Sequence, residues 1–216
     1  MSRPRASDHD DKRRAILERS AQLFAEHGYD RASTSMIAQA CGVSKALLYH
    51  YYRDKLELLH DIIRFHLEEL VEVVEAVSPQ PGAAPRRYLE DLAVALLGAY
   101  AGADAAHQVQ IGQLRLLPEE KKRELVALER RLVAVFAEAL LAARPDLAGN
   151  RMLLKPLTMS LFGMLNWNYM WFRPGGPLGR EDYARLAVGL VLDGSPNGAP
   201  PNRVGMPELV TSDRNR

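Results

Sequence analysis

Apolar residues recur at spacings of three and four along almost the whole chain, and no run of alternating Val, Ile and Thr is bounded by hairpin turns. A period near 3.6 puts such side chains on one helix face, so the expected fold class is all-α. The most apolar long stretch, 152–172, contains Lys155, Pro156, Asn166 and Asn168. These are costly in hydrocarbon, so the stretch reads as a buried helix and no membrane is expected as a partner. Its apolar residues lie on every side, as in a helix that faces its own core and a second surface together, and a second copy of the chain would supply that surface.

Breakers divide the helical pattern into segments. Residues 1–10 are charged, lack an apolar face and read as a mobile arm. The run Asp8-His9-Asp10-Asp11 where it ends fits acids at a helix N-terminus better than metal ligands, and no metal is assigned. A first helix carries Ile16, Leu17, Ala21, Leu23 and Phe24 and ends at Gly28, which suits a left-handed cap. Ser33, Thr34 and Ser35 offer the N-cap of a short helix through Cys41. Gly42 then supplies a tight turn, and Ser44 caps a third helix through Tyr52.

A long fourth helix aligns Leu56, Leu59, Ile63, Leu67, Leu70 and Val74 in one stripe and stops before Ser78-Pro79-Gln80-Pro81-Gly82. Further helices are predicted over 86–100, 104–116, 119–143, 152–172 and 180–192. From Ser195 onward proline, glycine, asparagine and charges dominate, which predicts a flexible tail. The expected organisation is a three-helix head over 1–55, a helical ligand-binding and dimerisation domain over 56–194, and the tail over 195–216.

The stretch from Thr34 to Tyr52 has the spacing of a helix-turn-helix, whose second helix enters the DNA major groove. Ile37, Ala38, Val43, Leu48 and Tyr52 should face the core made with Leu17, Ala21 and Phe24, leaving Lys45, Ala46, Tyr49 and His50 outward. The chain carries 28 Lys plus Arg against 27 Asp plus Glu, so polyanion binding needs a local patch rather than an overall field. Between Arg31 and Lys55 the basic residues Arg31, Lys45, Arg53 and Lys55 meet one acid, Asp54, and provide that patch. Hydroxyls at Ser33, Thr34, Ser35, Ser44, Tyr49 and Tyr51 suit phosphates; Lys45 can reach a guanine edge and Ala46 a thymine methyl.

Ile37-Ala38, then Gly42-Val43-Ser44-Lys45-Ala46-Leu47-Leu48-Tyr49-His50-Tyr51-Tyr52 and Lys55, closely resembles the N-terminal signature of the tetracycline-repressor (TetR) family of transcription factors. The resemblance covers roughly residues 12–60. It implies a homodimer with two helix-turn-helix heads, binding a double-stranded DNA operator, and a C-terminal domain whose ligand alters the distance between the heads. By motif position it puts Ser33, Thr34, Ser35, Tyr51 and Lys55 on phosphates, and Lys45, Ala46, Leu47, Tyr49 and His50 in or beside the groove. Leu47 stands where that family commonly has threonine, and Tyr52 where it has phenylalanine, so the Tyr52 hydroxyl needs a partner.

A sensor needs an apolar cavity with a few directed polar groups. His66, among Ile62, Ile63, Leu67 and Leu70, and the polar Gln110, Gln113 and Arg115 are candidates, alongside packing, interface or salt-bridged roles. Phe162, Met164, Trp167 and Trp171 concentrate bulky side chains near Gly163 and read as core, dimer contact or pocket wall. The segment from Gly163 to Trp167, continuing to Trp171-Phe172-Arg173-Pro174, is also similar to the penultimate helix of TetR-family regulators that respond to acyl-CoA thioesters. That resemblance implies a long cavity for an acyl or aryl chain with Arg115, or Arg86 and Arg87, near CoA phosphates.

The reading is therefore a DNA-binding regulator that represses and is released by a small apolar or acyl-CoA effector, with no cofactor and no catalytic residue. The competing class is a helical acyl-thioester-binding protein or enzyme, but no phosphate loop, nucleophile elbow or metal-site histidine spacing supports its chemistry. A lone cysteine, Cys41, and no basic-then-apolar leader give a cytoplasmic expectation.

Overall fold

The computed structural model describes residues 4–173 and 175–194, and all the secondary structure in them is helical. Helix α1 spans Pro4–His27 and ends where Gly28 takes a φ of 80°. It begins well before Ile16, so the stretch read as a mobile arm is helical from Pro4. Asp10 and Asp11 consequently lie inside the helix rather than in its first turn, which holds no acid.

The next two helices form as their caps dictate. In α2 (Thr34–Ala40) the Ser33 hydroxyl accepts from the Met36 amide at 3.2 Å, and in α3 (Lys45–Tyr51) the Ser44 hydroxyl accepts from the Leu47 amide at 3.1 Å. Gly42, at a φ of 64°, makes the turn between them. Ile16, Leu17, Ala21 and Phe24 of α1 pack with Ile37, Ala38, Leu48 and Tyr52 to close the small core of the head.

Helix α4 (Lys55–Glu75) is capped by the Asp54 carboxylate, which accepts from the Glu57 amide at 2.8 Å. Its stripe from Leu59 to Val74 is buried as expected, with Leu56 half-buried at the start. It packs against α1 and against three helices of the larger domain: α5 (Pro85–Tyr100), α6 (Asp104–Gln113) and α7 (Glu119–Ala143). A 3-10 turn, Leu114–Leu116, finishes the segment read as one helix to 116.

The stretch 152–172 is not one helix. Helix α8 (Arg151–Asn166) stops at Trp167, and a short α9 (Asn168–Trp171) follows. Buried Asn168 accepts a hydrogen bond from Arg180, at the start of α10 (Arg180–Asp193), with 3.2 Å between the groups. The pairing fixes Asn168 from outside the segment, so no local breaker announces the change of direction. The predicted flexible tail, 195–216, lies outside the described residues.

Candidate nucleic-acid interface and effector region

Helix α3 presents two unlike sides. Leu48 and the capping residue Tyr52 are buried, while Lys45, Ala46, Leu47, Tyr49 and His50 are exposed. Their spacing around seven residues leaves one continuous outer edge with a single formal positive charge at its first position. The Tyr49 hydroxyl lies 3.4 Å from the Thr34 hydroxyl of α2, and the Lys45 ammonium stands 6.0 Å from the Tyr49 ring centroid. Tyr49 is thereby oriented before any ligand arrives. Ser33, Ser35 and Ser44 are exposed beside this edge, with Ser33 and Ser44 already engaged as caps. Tyr51 is half-buried, its ring 4.8 Å from that of His9 on α1.

Lys55, expected on a phosphate, is engaged within the protein. Its ammonium donates to the backbone carbonyls of Tyr29, at 2.5 Å, and Ala32, at 3.1 Å, and lies 4.2 Å from the Tyr29 ring centroid. Those carbonyls belong to the link between α1 and α2, so the charge ties α4 to the head rather than facing outward. Tyr52, whose hydroxyl needed a partner, has it buried beside the Arg13 and Asp61 pair without a hydrogen bond of ordinary geometry. Burial pushes its ionisation up to about 12 despite the adjacent guanidinium, so it is a neutral phenol.

The candidate effector residues do not converge on one cavity. His66, only 2% exposed, joins the wall of a cavity of about 370 Å³ between α1, α4 and the link from α5 to α6. Gln110 is buried and donates to Glu129 at 2.9 Å, with its own amide oxygen unpartnered. Gln113 is half-buried and Arg115 exposed. Phe162 packs edge-on to Phe136 in the core, with ring centroids 4.9 Å apart. Met164 is half-buried, whereas Trp167 and Trp171 are 55% and 47% exposed, so an outer surface rather than a pocket holds them. Arg86 is committed to Glu90 and Asp193, and Arg87 to Asp91.

A buried polar chain supplies what the sequence reading missed. The His66 Nε2 lies 3.4 Å from His107 Nδ1, and His107 Nε2 lies 3.1 Å from the backbone oxygen of Asn166. The Tyr100 hydroxyl donates to the Asn166 side-chain oxygen at 2.7 Å, and its ring stacks 4.1 Å from His107. Burial pushes the His66 imidazolium down to about 3, with His107 nearby adding to the effect, and burial also lowers His107. His107 sits three residues before Gln110 on the same face of α6, a helical spacing that could have found it.

Comparison with known proteins completes the argument. Residues 16–62 match the model for bacterial regulatory proteins of the tetR family, and residues 82–195 match the tetracyclin repressor-like C-terminal domain. The chain belongs to the TetR family. A TetR-family transcriptional regulator from Bordetella parapertussis is 37% identical, with a TM-score of 0.77 over 84% of this chain and 94% of that one. The HTH-type transcriptional repressor KstR2 of Rhodococcus jostii is 28% identical over 202 residues, 90% of this chain and 97% of that protein. The structure of AibR in complex with isovaleryl coenzyme A and operator DNA aligns at a TM-score of 0.67 and 26% identity, over 83% and 97% of the two chains. The repressor Rv1474c of Mycobacterium tuberculosis is 37% identical over 62 residues, 29% of this chain and 33% of that protein, so that match covers a third of the relative.

As a TetR-family member the chain is a helix-turn-helix transcriptional regulator and not an enzyme. Among the described residues no helix is long and apolar enough to cross a membrane.

Proposed function

We propose that this TetR-family regulator is a cytoplasmic homodimeric repressor that binds a palindromic operator and releases it on binding a small apolar or acyl-CoA effector. The observation that carries the DNA part is the outer edge of α3, where Lys45, Ala46, Leu47, Tyr49 and His50 are exposed while Leu48 and Tyr52 anchor the helix. Phosphate contacts from Ser33, Thr34, Ser35, Ser44 and Tyr51 would fix the register. The head then comprises 1–55, with Lys55 fastening it to the first turn of α4, and the body 56–194.

Dimerisation is supported by the exposed apolar side chains of Met159, Met170, Trp171, Leu186 and Leu190 on α8, α9 and α10, and of Trp167 between α8 and α9. An isologous contact through these helices would set two heads on one duplex, with half-sites about one helical turn or a multiple apart. An acyl-thioester effector is supported by the likeness to AibR, which was crystallised with isovaleryl coenzyme A.

Selection of random double-stranded DNA by the purified protein, repeated with acyl-CoA and small apolar compounds, tests this reading. The expected outcome is a two-fold-symmetric site whose affinity drops at least tenfold with an effector, equal to about 1.4 kcal/mol of coupling. Enrichment of no common sequence would overturn it.

A further inference from the structure

The cavity beside His66 lies at the junction of head and body. Its walls come from α1 (Arg14, Leu17, Glu18), from α4 (Phe65, His66, Glu69) and from a run of small residues where α5 passes into α6. Alanines at 99, 101, 103, 105 and 106 leave the volume unfilled. Arg14 is paired with Glu69 and lies 4.9 Å from the Phe65 ring centroid, so Glu18 leaves the lining one negative charge in excess. Such walls suit an uncharged apolar molecule and repel a polyphosphate.

The buried chain fixes which polar group that molecule must carry. A backbone carbonyl can only accept, so the His107 Nε2 facing Asn166 must bear the proton. Neutral His107 then offers Nδ1 as an acceptor, and the His66 Nε2 facing it must donate. Neutral His66 is left with Nδ1 as an acceptor, on a side chain that lines the cavity. A ligand in the cavity that brings a donor can pair with that acceptor, and one whose polar groups only accept cannot.

We propose that the junction cavity binds an uncharged apolar molecule bearing a hydroxyl or N–H group, which donates to His66 Nδ1. This rests on the effector-responsive reading above and narrows it, since the cavity discriminates against acyl-CoA polyphosphates and against ligands whose polar groups only accept. The ligand would touch α1 and α4 together, so its occupancy bears directly on how the head is held.

The test uses the full-length protein and three alcohols, menthol, borneol and thymol, each beside its own methyl ether, with binding followed by calorimetry and operator affinity measured separately. At least one alcohol should bind about tenfold more tightly than its ether, the worth of one net hydrogen bond. His66→Phe should erase that difference. Ala106→Leu, which adds bulk to the cavity wall and keeps both histidines, should weaken alcohol and ether alike. Equal affinity within every pair, or binding unaffected by Ala106→Leu, would overturn the proposal, as would failure of all six compounds to bind. Operator release by an acyl-CoA but by none of the alcohols would sink the cavity assignment and leave the regulator reading standing. Alcohol binding with no change in operator affinity would keep the cavity and refute its coupling to DNA.

Discussion

The Arg13 guanidinium of α1 is paired with the Asp61 carboxylate of α4, and the next residue, Arg14, is paired with Glu69 further along the same helix. With Lys55 gripping the link after α1, the fourth helix is joined to the head at three heights. These contacts make α1 and α4 one connected unit, through which the proposed effector response could reach the head.

Burial alone would raise the Asp61 carboxyl, but the Arg13 and Arg64 guanidiniums outweigh it and hold it below the usual carboxylate range. A depressed carboxylate contributes stability above its unfolded value, about pH 4, and loses it as pH falls through the folded value. Asp61→Asn should therefore flatten the acid limb of the unfolding curve below about pH 4 while lowering stability at pH 7, measured by denaturant titration. An unchanged acid limb would refute the pairing.

Buried His66 gives a second pH signature, of separate origin. Its folded value is about 3 against about 6.5 unfolded, so between these the unfolded chain binds more protons and stability rises with pH. At pH 5 the expected penalty relative to neutral pH is about 2 kcal/mol from this residue. Chemical denaturation of His66→Phe should show a shallower decline between pH 6.5 and pH 5 than the parent.

Lys55→Ala should destabilise the protein by about 1.5–3 kcal/mol, because carbonyls of the α1 to α2 link lose a charged donor. If the ammonium serves the scaffold, the salt dependence of operator binding should keep its slope in Lys55→Ala. A slope reduced by about one would restore the phosphate role implied by motif position.

Lys45→Ala should alter base preference at one position of each half-site, at a cost of about 1–3 kcal/mol there, in a repeated DNA selection. An unchanged preference would remove Lys45 from base reading.

Leu190→Glu on the exposed side of α10 should yield monomers of normal helicity, checked by light scattering and circular dichroism. Persistence of a dimer would place the contact elsewhere. The chain's two tryptophans, Trp167 and Trp171, are exposed near this surface, so their emission should shift to the blue when copies associate.

The head was readable because its determinants are local. Ser33 and Ser44 cap the helices they precede, Gly42 takes the turn, and three-four spacing assigns Leu48 inward and Lys45 outward. The body was harder because spacing shows which side of a helix is apolar but not what covers it. Trp167 and Trp171 are on the outer surface, while His66 meets His107 across 41 positions of sequence. The contact of Asn168, just past the break, with Arg180 and the capture of Lys55 by carbonyls near residue 30 both join distant parts of the chain, and neither has a sequence pattern of its own. The helical start at Pro4 escaped notice because a charged segment without an apolar face can still extend an existing helix.

Leu48 and Tyr52 are the buried anchors of α3, with Tyr51 half-buried beside them, and the five positions of the outer edge are exposed. If that edge reads bases as proposed, the molecule's genomic address is written on a small exchangeable plate: descendants could acquire new operators by altering those five, while the frame that carries the plate stays as it is.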